Sequence, residues 1–327
     1  MSDHAAIARL AERLAGVPVS GVRNARGGGN NEVFRIDTAR GPFALKRYPQ
    51  PDPRDRLGHE YESLTFLHER GETAVAAPLA VDRAAAVALY EWIDGEPVRP
   101  DVAAVDAMLG LAARLHAAGR DPAAARLPPA TEAVRQAADL SAQIVLRLER
   151  LEVVAVHEPE LAIFLGERFG PLWERLRPAP GAVTQPGIPT LSASDFGTHN
   201  MLRRPDGRFA FIDFEYFGWD DPVKLVCDVI WHPAMALERL LARQFLDGAA
   251  DIYHDDPLYP DRLREWFPLF GLRWALIVLN EFVPELWERR RRAGAALPWS
   301  QVKTQQLAKA QALVTRAALG MEPVWTS

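Results

Sequence analysis

Cysteine and lysine are the scarce residues of this sequence, and each scarcity narrows what the chain can be. Cys227 is the only cysteine in 327 residues, which excludes an intramolecular disulfide or a cysteine-based zinc cluster and suits a reducing cytoplasm. It lies in the apolar run from Val223 to Trp231, where a small buried hydrophobe is expected. No stretch of eighteen apolar residues occurs, and Met1-Ser2-Asp3-His4 lacks the basic region and long apolar run of a signal peptide. The expectation is a cytoplasmic protein with no membrane partner. Positive charge is not in excess, since the net charge is −5 and the pI is near 5.9, which argues against a nucleic-acid partner. Internal repeats are missing, as is any low-complexity tract beyond an alanine bias. Of 38 basic residues only four are lysines, and Lys46 is the only one in the first 223 positions. A chain that uses arginine almost everywhere else has reason to be asked why it keeps an ammonium there.

What is present is globular, with 48% hydrophobic and 25% charged residues, over a length natural for two lobes. Ile7, Leu10 and Leu14 keep helical spacing behind Asp3, and Gly16 stops them. Gly27-Gly28-Gly29 separates two strand-like segments and lets a backbone approach phosphate oxygens. No Gly-Lys-Ser/Thr follows, so it is not a Walker loop. Lys46 ends the strand-like Pro42–Tyr48. A compact ammonium there fits phosphates better than a planar guanidinium, with Arg47 as the competing cation. Leu57, Tyr61, Leu64 and Leu67 predict a helix from Asp55 to Arg70, Ala85–Ile93 predicts a strand, and further helices are predicted over 102–117, 132–156, 158–176 and most of 234–319.

The densest chemistry lies between Leu191 and Asp221. Met201–Arg203 and Phe209–Ile212 flank Pro205-Asp206-Gly207, a strong hairpin signal. Counted outwards from the centre of Asp206-Gly207, Asn200 and Asp213 lie equally far along the two strands. Directly opposed residues have Cβ atoms about 5 Å apart, so their two oxygens are expected to share a hard cation of the Mg²⁺ kind. Asp195, just before the first strand, is then expected beside whatever the metal holds.

Ser194-Asp195-Phe196-Gly197-Thr198-His199-Asn200, the hairpin after it and Ile212-Asp213-Phe214-Glu215 resemble the aminoglycoside phosphotransferase family, with choline kinases as relatives, in the protein-kinase-like fold. The family usually has His-Gly before the Asp, where this chain has Ala193-Ser194. That His is scaffolding, so its loss concerns loop geometry more than chemistry. The resemblance runs along essentially the whole chain. It implies an α+β, two-lobed fold, with an antiparallel β N-lobe over residues 1–93 that binds nucleotide and a mainly helical C-lobe over 94–327.

The implied reaction is ATP- and Mg²⁺-dependent phosphoryl transfer to a hydroxyl of a small molecule. Asp195 is the catalytic residue, and Asn200 and Asp213 hold the metal. Gly27, Gly28 and Gly29 cover the nucleotide, and Lys46 holds its phosphates. Glu60 supports Lys46, with Glu62 as second choice, and the backbone of Glu91, Trp92 and Ile93 receives adenine. A non-catalytic nucleotide-binding protein is the alternative. It is disfavoured because the lysine and both catalytic carboxylates are all in place. Glu215-Tyr216 is more like choline kinases, and the aromatics from Trp266 to Phe282 and the run Arg289–Arg292 read as core and as a solvated helix end.

Overall fold

The computed structural model describes residues 3–25, 31–179, 186–292 and 297–322. They form two compact units: residues 1–99, 110–131 and 191–219 make the first, and 100–109, 132–190 and 220–327 the second. The arrangement is the expected α+β one, an antiparallel sheet followed by helices. The lysine strand, the helix after it and the whole Leu191–Trp219 segment belong to the first unit.

The first unit opens with α1 (Asp3–Ala15), β1 (Val19–Asn24), β2 (Glu32–Thr38), β3 (Gly41–Arg47) and α2 (Arg56–His68). β4 (Pro78–Asp82), β5 (Val87–Glu91) and the short β6 (Glu96–Pro97) follow. Five strands form an antiparallel sheet in the order β1-β2-β3-β5-β4. Its inward residues Phe34, Ile36, Leu45, Val87 and Leu89 alternate along their strands and are almost fully buried against Ile7 and Ala11 of α1. Alternation with a period of two supplies the sheet face, and helical spacing supplies the stripe that covers it. Gly16 ends α1 with φ 67°, and its N–H donates to Glu12 O at 2.9 Å; glycine adopts that conformation without penalty. Asp55 caps α2, accepting from Gly58 N at 3.2 Å.

In the second unit, α3 (Val102–Ala118) begins and then passes into the first. α4 (Ala137–Ala155), α5 (Pro159–Phe164) and α6 (Gly170–Leu176) occupy the predicted helical stretch, with one π-helical turn between the last two. β7 (Thr190–Ser192), β8 (Met201–Arg203), β9 (Phe209–Phe211) and β10 (Gly218–Asp220) precede five helices: α7 (Pro222–Trp231), α8 (Arg239–Ile252), α9 (Tyr259–Val278), α10 (Pro284–Arg292) and α11 (Trp299–Ala318). Cys227 is fully buried on α7, and burial pushes its thiol far up. Trp266, Phe267, Phe270 and Phe282 are buried as core. Arg290 pairs with Glu281 and Arg291 with Glu288. No helix among the described residues is long and apolar enough to cross a membrane.

Candidate active site

Lys46 stands in the middle of the sheet, with Val33 opposite on β2 and Ala88 opposite on β5. Being central, it is buried, and a buried ammonium has to be paired. Its Nζ donates to Glu60 Oε1 at 2.9 Å and Oε2 at 2.6 Å, and to Asp213 Oδ1 at 2.6 Å. Burial alone would depress the lysine's pKa, but the two carboxylates outweigh it and the group titrates above its usual value. Glu60 is itself raised by burial, against the pull of Lys46. It has two further partners: the Tyr48 hydroxyl donates to Oε2 at 2.7 Å and Phe214 N to Oε1 at 3.3 Å. Tyr48 and Tyr90 hydroxyls are 2.8 Å apart, and both phenols are raised by their burial.

This arrangement separates the competing residues. Glu62 faces outward on α2 and pairs with Arg83, whereas Glu60 is 3% exposed. Arg47, one residue past the lysine, alternates to the other face, where it meets Glu32 at 2.6 Å and lies over the Phe34 ring. The tyrosines escaped the sequence reading. Their signal was there, since Tyr48 is two residues from Lys46 and so shares its face.

The hairpin forms, but in a register one residue from the expected one. β8 and β9 pair Met201 with Phe211, Leu202 with Ala210 and Arg203 with Phe209. Arg204 N donates to Arg208 O at 2.8 Å and Gly207 N to Arg204 O at 2.9 Å, so the loop is the three residues Pro205-Asp206-Gly207. Gly207 has φ 84°, as a three-residue turn with a left-handed last position requires. Asn200 is therefore opposite Ile212, whose N–H donates to Asn200 O at 2.9 Å. Asp213 is one residue beyond the opposed pair. Continued β alternation would turn its side chain to the other face, and the left-handed backbone at Asp213, φ 67°, interrupts that alternation.

Asp195 sits in a loop whose polar groups bond to one another. Its N–H donates to Ala193 O at 2.8 Å, its own carbonyl accepts from Asn200 Nδ2 at 2.9 Å, and His199 Nε2 lies 2.9 Å from Oδ1. Because the Asn200 amide donates through Nδ2, its oxygen is the atom left to act as an acceptor. Ser194 has φ 65°, a conformation that costs a side-chain-bearing residue about 1 kcal/mol. That accounts for the glycine usual at this place in the resembling family. His199 was not singled out from the sequence; an Asp-x-x-x-His spacing across a turn was the available signal.

The remaining expected residues are placed as follows. Glu91 ends β5, with its N–H donating to Ala77 O at 2.8 Å and its carboxylate accepting from Arg204 at 3.2 Å. Trp92 Nε1 donates to Asp94 at 2.8 Å while Arg35 stacks on the ring, and Ile93 is buried. Gly27, Gly28 and Gly29 lie outside the described residues. Glu215 is 2% exposed, accepts from Asn31 Nδ2, and faces Arg56 Nε at 3.6 Å.

The model of a family described as the phosphotransferase enzyme family matches residues 21–266. No curated protein matches the chain. Among solved structures, the streptomycin–ATP–APH(2")-IIa ternary complex superposes with a TM-score of 0.62 at 15% identity, over 96% of this chain and 98% of that one. Choline kinase LicA from Streptococcus pneumoniae gives 0.60 at 14% identity over 94% and 98%. Macrolide 2'-phosphotransferase MphH from Brachybacterium faecium gives 0.57 at 19% identity over 90% and 99%.

Proposed function

The chain belongs to the phosphotransferase enzyme family and is a small-molecule kinase, and from that premise we propose that it moves the γ-phosphoryl group of ATP to a hydroxyl of its acceptor with Mg²⁺. The observation that carries this reading is Lys46 Nζ held between Glu60 and Asp213, at 2.6 Å from each, in the same unit as the Asp195–Asn200 loop. A single ammonium ties the sheet, α2 and the end of the hairpin together. Residues 1–93 bind nucleotide on this reading, with adenine on the backbone at 91–93 and the glycines at 27–29 over the phosphates.

The donor set suits the metal. Asp213 offers a carboxylate and Asn200 an amide oxygen, both hard ligands of the kind Mg²⁺ takes alongside phosphate oxygens and water. These two residues would hold it, and bound there it neutralises charge on the phosphates. Lys46 holds the α- and β-phosphates, its direction set by Glu60, which is fixed in turn by Tyr48 and Phe214 N. Asp195 orients the acceptor hydroxyl and accepts its proton at a carboxylate oxygen. The protein does little covalent work in phosphoryl transfer, so positioning and charge supply most of the acceleration.

The test is a screen of Mg²⁺- and acceptor-dependent ADP release with streptomycin, gentamicin, choline, amino alcohols and sugars. Release with at least one class, lost in Asp195→Asn, is the expected result. Release that ignores every acceptor and survives Asp195→Asn would overturn the assignment.

A further inference from the structure

We propose that Glu215 is a positioning residue for Asp213, and that its buried carboxylate, held by Asn31 and Arg56, fixes the backbone that aims Asp213 at Lys46. This deepens the functional reading above and rests on Asp213 being a metal ligand there. Its own backbone opposes the place that Asp213 occupies. The residue is left-handed at φ 67° with its side chain 33% exposed, and such a conformation persists only where the surroundings over-determine it. The residues after it supply that hold. Glu215 is 2% exposed, and a carboxylate so far from water has to be met by donors or cations.

Partners reach Glu215 from several segments. The buried Asn31, just before β2, donates from Nδ2 to Oε2. Arg56, the first residue of α2, faces Oε1 with Nε at 3.6 Å and is itself bridged by Asp52 at 2.6 Å. Tyr216 adds a side-chain contact of its own. On either side of Glu215, α2 touches the main chain: Glu60 Oε1 accepts from Phe214 N at 3.3 Å, and His59 Nδ1 lies 2.7 Å from Phe217 O. Arg56, His59 and Glu60 are three and four residues apart and so share one helix face. Phe217 N closes the held segment into a turn by donating to Phe214 O at 3.0 Å. Glu60 and Asp213, the carboxylates that meet Lys46, are thus set from one helix, the first directly and the second through the residues that follow it.

Asn31→Asp and Glu215→Gln change the chemistry of this contact without changing side-chain length. Asn31→Asp sets two carboxylates against each other, and adding Glu215→Gln rebuilds the hydrogen bond with donor and acceptor exchanged. Calorimetric titration of ADP, with Mg²⁺ and with EDTA, measures the affinity that the metal supplies, and Asp213→Asn marks its absence. Asn31→Asp should lose about tenfold of that gain, the usual order for a residue that orients a metal's ligand, with affinity in EDTA unchanged. The double variant should recover most of it. A gain as large as the wild type's in Asn31→Asp, a double variant no better than the single one, or an equal loss in EDTA would overturn the proposal. If the wild type itself gains nothing from Mg²⁺, the metal reading of Asp213 is at fault. The hold on Glu215 is then decided by urea midpoints of the wild type, both single variants and the double, whose effects should not add. Additive effects overturn it.

Discussion

Position 46 is where residue identity matters most. Lys46 is 8% exposed and its Nζ is already bonded to two carboxylates, so the pocket is sized for a tetrahedral ammonium with three donors. A guanidinium is larger, planar and differently directed. Lys46→Arg should therefore cut turnover severely although it keeps the charge, with KM for ATP rising as kcat falls. A Lys46→Arg enzyme with wild-type kinetics would mean that position 46 needs only a cation. The scarcity of lysine pointed to this residue before any geometry did. The sequence left Glu60 and Glu62 in competition, because two glutamates two places apart on a helix are both plausible. Burial decided between them by closing Glu60 in with Tyr48, Tyr90 and Phe214 N, and no local pattern reveals such a neighbourhood.

At the scale of elements, two devices hold the segment that follows Asp213. β10 passes so close to residues 128–130 that a Cβ on Gly218 would lie 2.4 Å from Pro128 O and 2.5 Å from Ala130 N. Both are backbone atoms of a strand-like pairing in which Trp219 N donates to Pro128 O and Ala130 N to Trp219 O, each at 2.9 Å. Gly218→Ala should accordingly destabilise the protein by about 2 kcal/mol, read as a lower thermal midpoint; an unchanged midpoint would show that the approach is not that close. The other device is Asp221, which caps α7 by accepting from Val223 N at 2.8 Å and is bridged by Arg262. Burial pushes its carboxyl up to about 6, against the pull of Arg262. A folded-state pKa above the unfolded one means that the native state binds the proton more tightly. The group's contribution is thus largest below about pH 4 and is lost as pH rises through 6. The wild type's advantage over Asp221→Asn should shrink by about 2 kcal/mol between pH 4.5 and 7. Urea midpoints of the two proteins at both pH values measure it, and an advantage that grows with pH would contradict the assignment.

For the whole molecule, the separation of nucleotide binding from chemistry is the property to test. Saturating Mg-ATP should raise the thermal midpoint by several degrees, in line with about 2.7 kcal/mol at a hundredfold excess over Kd. Asp195→Asn should keep that rise while losing transfer, since on the proposed reading Asp195 acts on the acceptor. Asp213→Asn should lose most of both. Equal loss of the rise in the two variants would make Asp195 structural. Much of this was determined by the sequence alone, and for physical reasons. Periods of two and of 3.6 specify the sheet face made by Phe34, Ile36, Leu45, Val87 and Leu89 and the stripe of α1 that covers it. Glycine and Asp-Gly mark turns that other residues resist, and the short spacing of Asp195 and Asn200 brings them into one loop, where the Asn200 amide meets the Asp195 carbonyl. Tertiary structure alone decided the rest. The hairpin register differs by one from the expected one because Pro205 joins Asp206-Gly207 in a three-residue loop. Asp213 reaches Lys46 from 167 residues away, through a left-handed backbone that local propensity opposes. The partners of Glu60 and Glu215 come from strands and segments remote in sequence, and only the packing of the first unit brings them into place.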